Sequence, residues 1–260
     1  MRSFLMALAV AALSVPAGAQ EAAPSAARGD AFDRLPYWPG YWVGESSIGT
    51  AISGIGRVAE NRTSQTPPPS DSIAIWNSNA PWNEEGKRRV AEVAARQGGR
   101  KGMGWGFPLM MNSSTPVQFL ITPEEVLIVN AYNEVRHIYT DGRDHPPLDD
   151  LWPTLTGNSI GHWEGDTLVI DTIMVTNPNE FFQGNPPFSE EARYVERIRL
   201  DGERLLMNMT VIDPVTLAQP WVANMALVRE TAFDRMIQVD WNNDRTGIEG
   251  NTNTIEPPKD

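Results

Sequence analysis

All three histidines of the chain, His137, His145 and His162, fall within one short stretch, and a tyrosine, arginines and carboxylates accompany them. The stretch reads Arg136-His137-Ile138-Tyr139-Thr140-Asp141-Gly142-Arg143-Asp144-His145-Pro146, then Gly161-His162-Trp163-Glu164-Gly165-Asp166. An imidazole titrates near neutrality and a phenol can donate to a developing oxyanion, so His137 and Tyr139 form a candidate acid–base pair. On a strand, alternation places Val135, His137 and Tyr139 on one face and Arg136, Ile138 and Thr140 on the other. The acid–base reading requires the His137 face to look inward. His162 is a further candidate catalytic group, and Asp141, Arg143 and His145 are candidates for holding an anionic substrate group. Each has a plainer alternative. His137 and Tyr139 can be a satisfied core pair, Arg143 can tie Asp141 into a turn, and Glu164-Gly165-Asp166 is also what a tight hairpin requires. His137, His145 and His162 with Glu164 offer a minority metal reading, although their spacing is not diagnostic. Trp105 and Trp163 are candidate walls of an apolar pocket, where flat rings suit aromatic ligands.

The elements that must position these groups are mostly strands. Period-two runs are expected at Val117–Ile121, Glu125–Ala131, Glu134–Thr140, Ser159–Trp163, Thr167–Val175, Ala192–Leu200, Arg204–Ile212, Trp221–Glu230 and Met236–Trp241, many joined by tight turns. Asn83–Gln97 is the one clear helix, capped by Asn83, with Glu84 and Glu85 in its first turn. Gln20–Asp30 reads as a mobile tether. Phe32–Val43 is too aromatic for a linker and is expected to fold onto the domain. About eight antiparallel strands with one N-terminal helix predict a calycin-like β-barrel over 32–250, followed by a polar tail at 251–260.

Composition narrows the function. Met1–Ala19 has a charged start at Arg2, an apolar run and a small-residue cleavage site, the pattern of a secretory signal. The expected location is therefore periplasmic or secreted, and the apolar run is too short for stable membrane insertion. The net charge is −12 over 260 residues, and removal of Arg2 with the signal makes the mature chain still more acidic. Nucleic acid is excluded as a partner on that ground. The chain contains no Cys, so an exported form has neither a disulfide frame nor a thiolate nucleophile. No phosphate-binding glycine loop and no serine nucleophile elbow are present.

The run Ser159-Ile160-Gly161-His162-Trp163-Glu164-Gly165-Asp166-Thr167-Leu168-Val169 resembles the signature of an exported bacterial family, a domain of unknown function abundant in sphingomonads and acidobacteria. Arg136-x-Ile138-Tyr139-Thr140-Asp141-Gly142-Arg143-x-His145-Pro146, Gly106-Phe107-Pro108, Asp213-Pro214 and Pro220-Trp221 match the same pattern. The resemblance implies a β-barrel and export, and brings no activity. Lys101 and Asp240 stand where many relatives carry cysteines. If those cysteines pair, Lys101 and Asp240 should be neighbours here.

Two functional expectations follow. The first is a cofactor-independent lyase, isomerase or hydrolase, with His137 as acid or base and an internal pocket for a small apolar or aromatic molecule. The alternative is a non-catalytic carrier or sensor using the same pocket. They differ in one respect: in a carrier, Trp, Met and Leu line the interior and the imidazoles are tied up at its edge.

Overall fold

The computed structural model describes residues 25–44, 80–95, 106–112, 116–176, 186–231, 234–236 and 238. The expected signal segment, Trp105, Lys101, Asp240 and the polar tail lie outside these residues. The chain divides into two compact units, 1–34 and 35–260. The first contains helix α1 (Ser25–Asp33). Ala26, Ala27 and Ala31 supply helix propensity in this stretch.

The second unit holds a closed barrel of nine strands in sequential order. These are β1 (Tyr41–Gly44), β2 (Val117–Ile121), β3 (Glu125–Asn130), β4 (Val135–Tyr139), β5 (Asn158–Glu164), β6 (Thr167–Ile173), β7 (Arg193–Asp201), β8 (Arg204–Ile212) and β9 (Trp221–Glu230). The mainly-β barrel agrees with the sequence reading, but details differ. Short β1 is an additional strand, and it closes the wall by pairing antiparallel with both β2 and β9. The β4–β5 pair is parallel. Parallel neighbours cannot be joined by a hairpin, so residues 140–157, with Pro146, Pro147 and Pro153, run the length of the barrel between them. Met236 and Gln238 are not in a strand, and the rest of the run expected at 236–241 lies outside the described residues.

One end of the barrel, here the lower end, carries the turns at 122–124, 165–166 and 202–203. The other carries the 131–134 turn and the 213–220 loop. Gly165 and Gly202 begin two-residue turns at φ near +60°, a conformation that a Cβ disfavours. Helix α2 (Glu84–Ala95) is close to the expected span. Asn83 caps it by accepting from Gly86 N–H at 2.9 Å. Gly86 lets the helix approach the 213–220 loop closely: a Cβ there would lie 2.3 Å from the Thr216 carbonyl oxygen.

Alternation builds the core. Val126 and Ile128 of β3, Leu168 and Ile170 of β6, and Leu205, Met207, Met209 and Val211 of β8 all point inward and are buried. At the upper end a short turn at Leu109–Asn112 adds Phe107, Leu109, Met110 and Met111 to the same cluster. This segment is seated by Phe107 N–H donating to Leu155 O at 2.8 Å and Gly106 N–H donating to Glu134 Oε1 at 2.7 Å. Trp38 and Trp42 are buried, as expected of a segment that folds down, whereas Tyr37 is exposed.

Candidate functional site

Strand β4 decides the site, because its two faces carry opposite candidates. The burial alternation puts Arg136 and Ile138 inside and Val135 and His137 outside. The expected inward orientation of His137 is therefore corrected: its side chain is 53% exposed, and its Nδ1–H donates to Glu125 Oε1 at 2.6 Å on neighbouring β3. Tyr139 follows on the same outer face, its ring stacked on His137 at 6.3 Å between centroids. Arg143 lies over the Tyr139 ring at 4.1 Å and forks onto Asp141, donating from Nε at 2.9 Å and from Nη2 at 2.5 Å. That contact holds the Asp141 carboxyl below its ordinary range, Arg143 being the chief cause. The plainer reading of Arg143 and Asp141 as a loop tie is the one that the geometry matches.

The other two imidazoles are also outside the barrel interior. His162 donates from Nε2 to Glu164 Oε1 at 3.2 Å on an exposed stretch of β5. Arg197 donates to the second Glu164 oxygen at 2.5 Å, and chiefly through that bond lowers the Glu164 carboxyl. His145 fastens the long crossover: its Nδ1–H donates to Asn158 Oδ1 at 2.6 Å. Its Nε2 stands 3.9 Å from Asp171 Oδ1, while Asp171 is bound by Arg193. The three imidazoles thus have three separate sets of partners. Among the described residues no group of three or more His, Asp or Glu side chains is placed to hold a metal ion, so the joint ligand set with Glu164 does not form there.

The charge inside the barrel is one that the sequence reading passed over. Arg136 and Glu196 are fully buried and bound to each other, from Nη1 to Oε1 at 3.1 Å and from Nη2 to Oε2. Arg136 crosses the inner faces of β5 and β6 to reach β7. On the way its Nη2 donates to Thr172 Oγ1 at 2.7 Å, and its Nε to Ser159 Oγ at 3.3 Å. The Phe107 ring covers the guanidinium at 4.0 Å, and Tyr194 meets that ring edge-on at 5.0 Å. Burial holds the Tyr194 phenol protonated well above its ordinary range, with Asp213 adding to the effect. The available signal was Ile138: an isoleucine beside Arg136 on one face, against an imidazole on the other.

Trp163 is the candidate that does face inward. It packs on Trp38 with ring centroids 5.5 Å apart, and Trp38 packs on Phe119 at 5.4 Å. The three rings stand together at the lower end. Comparison with protein-family models, curated proteins and solved structures produced no match.

The position of His137 yields a prediction. An exposed ion pair contributes at most about 1 kcal/mol, and for a domain of this size that is worth about 2–4 °C in melting temperature. His137→Ala should lower Tm by no more than that in a thermal scan. A loss of about 10 °C would return this imidazole to the core.

Proposed function

We propose that the protein is an exported, non-catalytic β-barrel that binds a small apolar or aromatic molecule at an end of its barrel. The single observation supporting this over the acid–base enzyme is the division between the two faces of the wall. Each imidazole is engaged with a carboxylate or amide on the outside, while the inward residues are Trp, Phe, Tyr, Met, Leu, Ile, Val and Ala around the Arg136–Glu196 ion pair. General acid–base catalysis needs a base within hydrogen-bond reach of a bound substrate. The His137 side chain is instead 53% exposed and bonded to Glu125. The interior offers what a carrier needs: aromatic surface, and methionines at 110, 111, 207, 209 and 225 that repack readily around a guest. Export follows from the sequence pattern of the first 19 residues, and the acidic balance is compatible with a neutral guest.

The test combines native mass spectrometry of protein recovered from its own export compartment with thermal scans against a panel of aromatic and terpenoid-like compounds. A true ligand at about a hundred times its Kd adds about 2.7 kcal/mol, or about 5–10 °C of Tm for a domain of this size. The compound should be recovered chemically unchanged. Consumption of the compound by the wild type but not by His137→Ala would restore the enzyme reading.

A further inference from the structure

Resting on that reading, we propose that the lower end of the barrel is the binding site, and that it selects a neutral, planar, carbonyl-bearing molecule through the indole N–H groups of Trp38 and Trp163. Trp38 enters from the segment just before β1 and is 2% exposed. Trp163 projects inward from β5 and is half-buried at the rim with Ile121 and Leu200. Their rings meet at 68° with centroids 5.5 Å apart. Both Nε1 atoms are buried, and neither has a hydrogen-bond partner.

Buried donors in folded proteins are almost always paired, because an unpaired one forfeits its bond to water and gains nothing in return. Trp42 and Trp221 also carry unpartnered Nε1 atoms, but Trp38 and Trp163 bring two such donors onto adjacent rings at one end of the barrel, where an incoming acceptor would have a donor to meet. Indole N–H only donates, so the complementary group must be an acceptor, and a carbonyl oxygen is a neutral one. The flat aromatic walls of Trp38, Trp163 and Phe119 call for a flat body attached to it. Charge argues for neutrality: each of the three turns at this end carries an exposed carboxylate, Glu124, Asp166 and Glu203, which disfavours an anionic acceptor. A ketone, ester or amide on a planar ring system meets all three requirements.

The probes are 2-acetylnaphthalene and its hydrocarbon counterpart 2-ethylnaphthalene, titrated into the full chain by calorimetry, with Trp38→Phe and Trp163→Phe as variants. Phenylalanine keeps an aromatic body and deletes the donor. The wild type should bind the ketone about tenfold more tightly than the hydrocarbon, the worth of one or two net hydrogen bonds. Each variant should lose severalfold for the ketone and little for the hydrocarbon, whose retained binding also reports an intact site. In 15N-labelled protein, the indole N–H signals of these two residues should move with the ketone alone. Equal affinity for the two probes, or a preference that survives both substitutions, would overturn this inference and leave the carrier reading standing. If neither probe binds while another compound of the panel does so elsewhere, only the site proposed here is lost. If no compound binds at all, both readings are lost.

Discussion

Arg136→Met should destabilise the protein by about 3–5 kcal/mol, the usual cost of removing one partner of a buried ion pair, and should lower Tm by about 6–20 °C. The argument rests on what remains. Glu196 would keep a fully buried carboxylate whose two oxygens had both bonded the guanidinium. Thr172 and Ser159 would keep only each other, at 2.9 Å. Phe107 would lose the cation beneath its ring. Lysine does not rescue the site, because a point charge cannot span both Glu196 oxygens and Thr172 at once. The double variant Arg136→Met with Glu196→Leu is the decisive comparison. It removes both desolvated charges, so it should recover most of the loss. Urea unfolding of the four members of this cycle measures the coupling directly. Additive losses would mean that the two residues act independently.

The barrel was legible where local chemistry and periodicity agree. Strands β2, β8 and β9 coincide with their expected spans, because β-branched and aromatic alternation is bounded there by turn residues. The helix start was legible from local chemistry too, Asn83 being a capping residue followed directly by Glu84 and Glu85. Two things were hidden. Strand β1 has only four residues and sits among prolines, and its place is fixed by partners on β2 and β9 that lie far away in sequence. The parallel β4–β5 pair cannot be read from a loop length alone, since a long connection also suits an antiparallel return. Choosing the inward face of β4 failed for a different reason. Alternation defines the two sets, but the chemistry of an imidazole points to one of them and the burial preference of Ile138 to the other. Strand β7 held corroboration: with Arg193, Arg197 and Arg199 on one face, Tyr194, Glu196 and Ile198 had to be the inner set. A carboxylate inside one wall calls for a cation inside another, and that cation is Arg136.

Asp213→Ala should be nearly as damaging, at least about 3 kcal/mol, but through the upper end of the barrel rather than its interior. Asp213 is 2% exposed and acts as a hub. Its carboxylate accepts from Ser189 N–H and Ser189 Oγ–H, each at 2.7 Å, from Val215 N–H at 3.0 Å, and from Thr216 through its hydroxyl and its N–H. A buried donor left without an acceptor costs about 1–3 kcal/mol, and alanine would strand several together. Asparagine would not substitute, since its amide offers a donor where only donors converge. What the hub holds sets the form of the result. The loop it shapes receives Asn83 N–H on the Thr216 carbonyl at 3.0 Å and pairs Ala218 with Pro81 at 2.8 Å, and Asn83 Nδ2 donates to Val215 O at 3.0 Å. Through these bonds the start of α2 depends on Asp213. Hydrogen exchange should therefore show lost protection first at residues 83–90 and 186–192, while the amides of the β7–β8 hairpin at the lower end open only with global unfolding. Asn83→Ala should reproduce the α2 part of the pattern at about 1 kcal/mol, the ordinary cost of a lost cap. Uniform loss of protection across the barrel in Asp213→Ala would show instead that the loop is an inseparable part of the folding core.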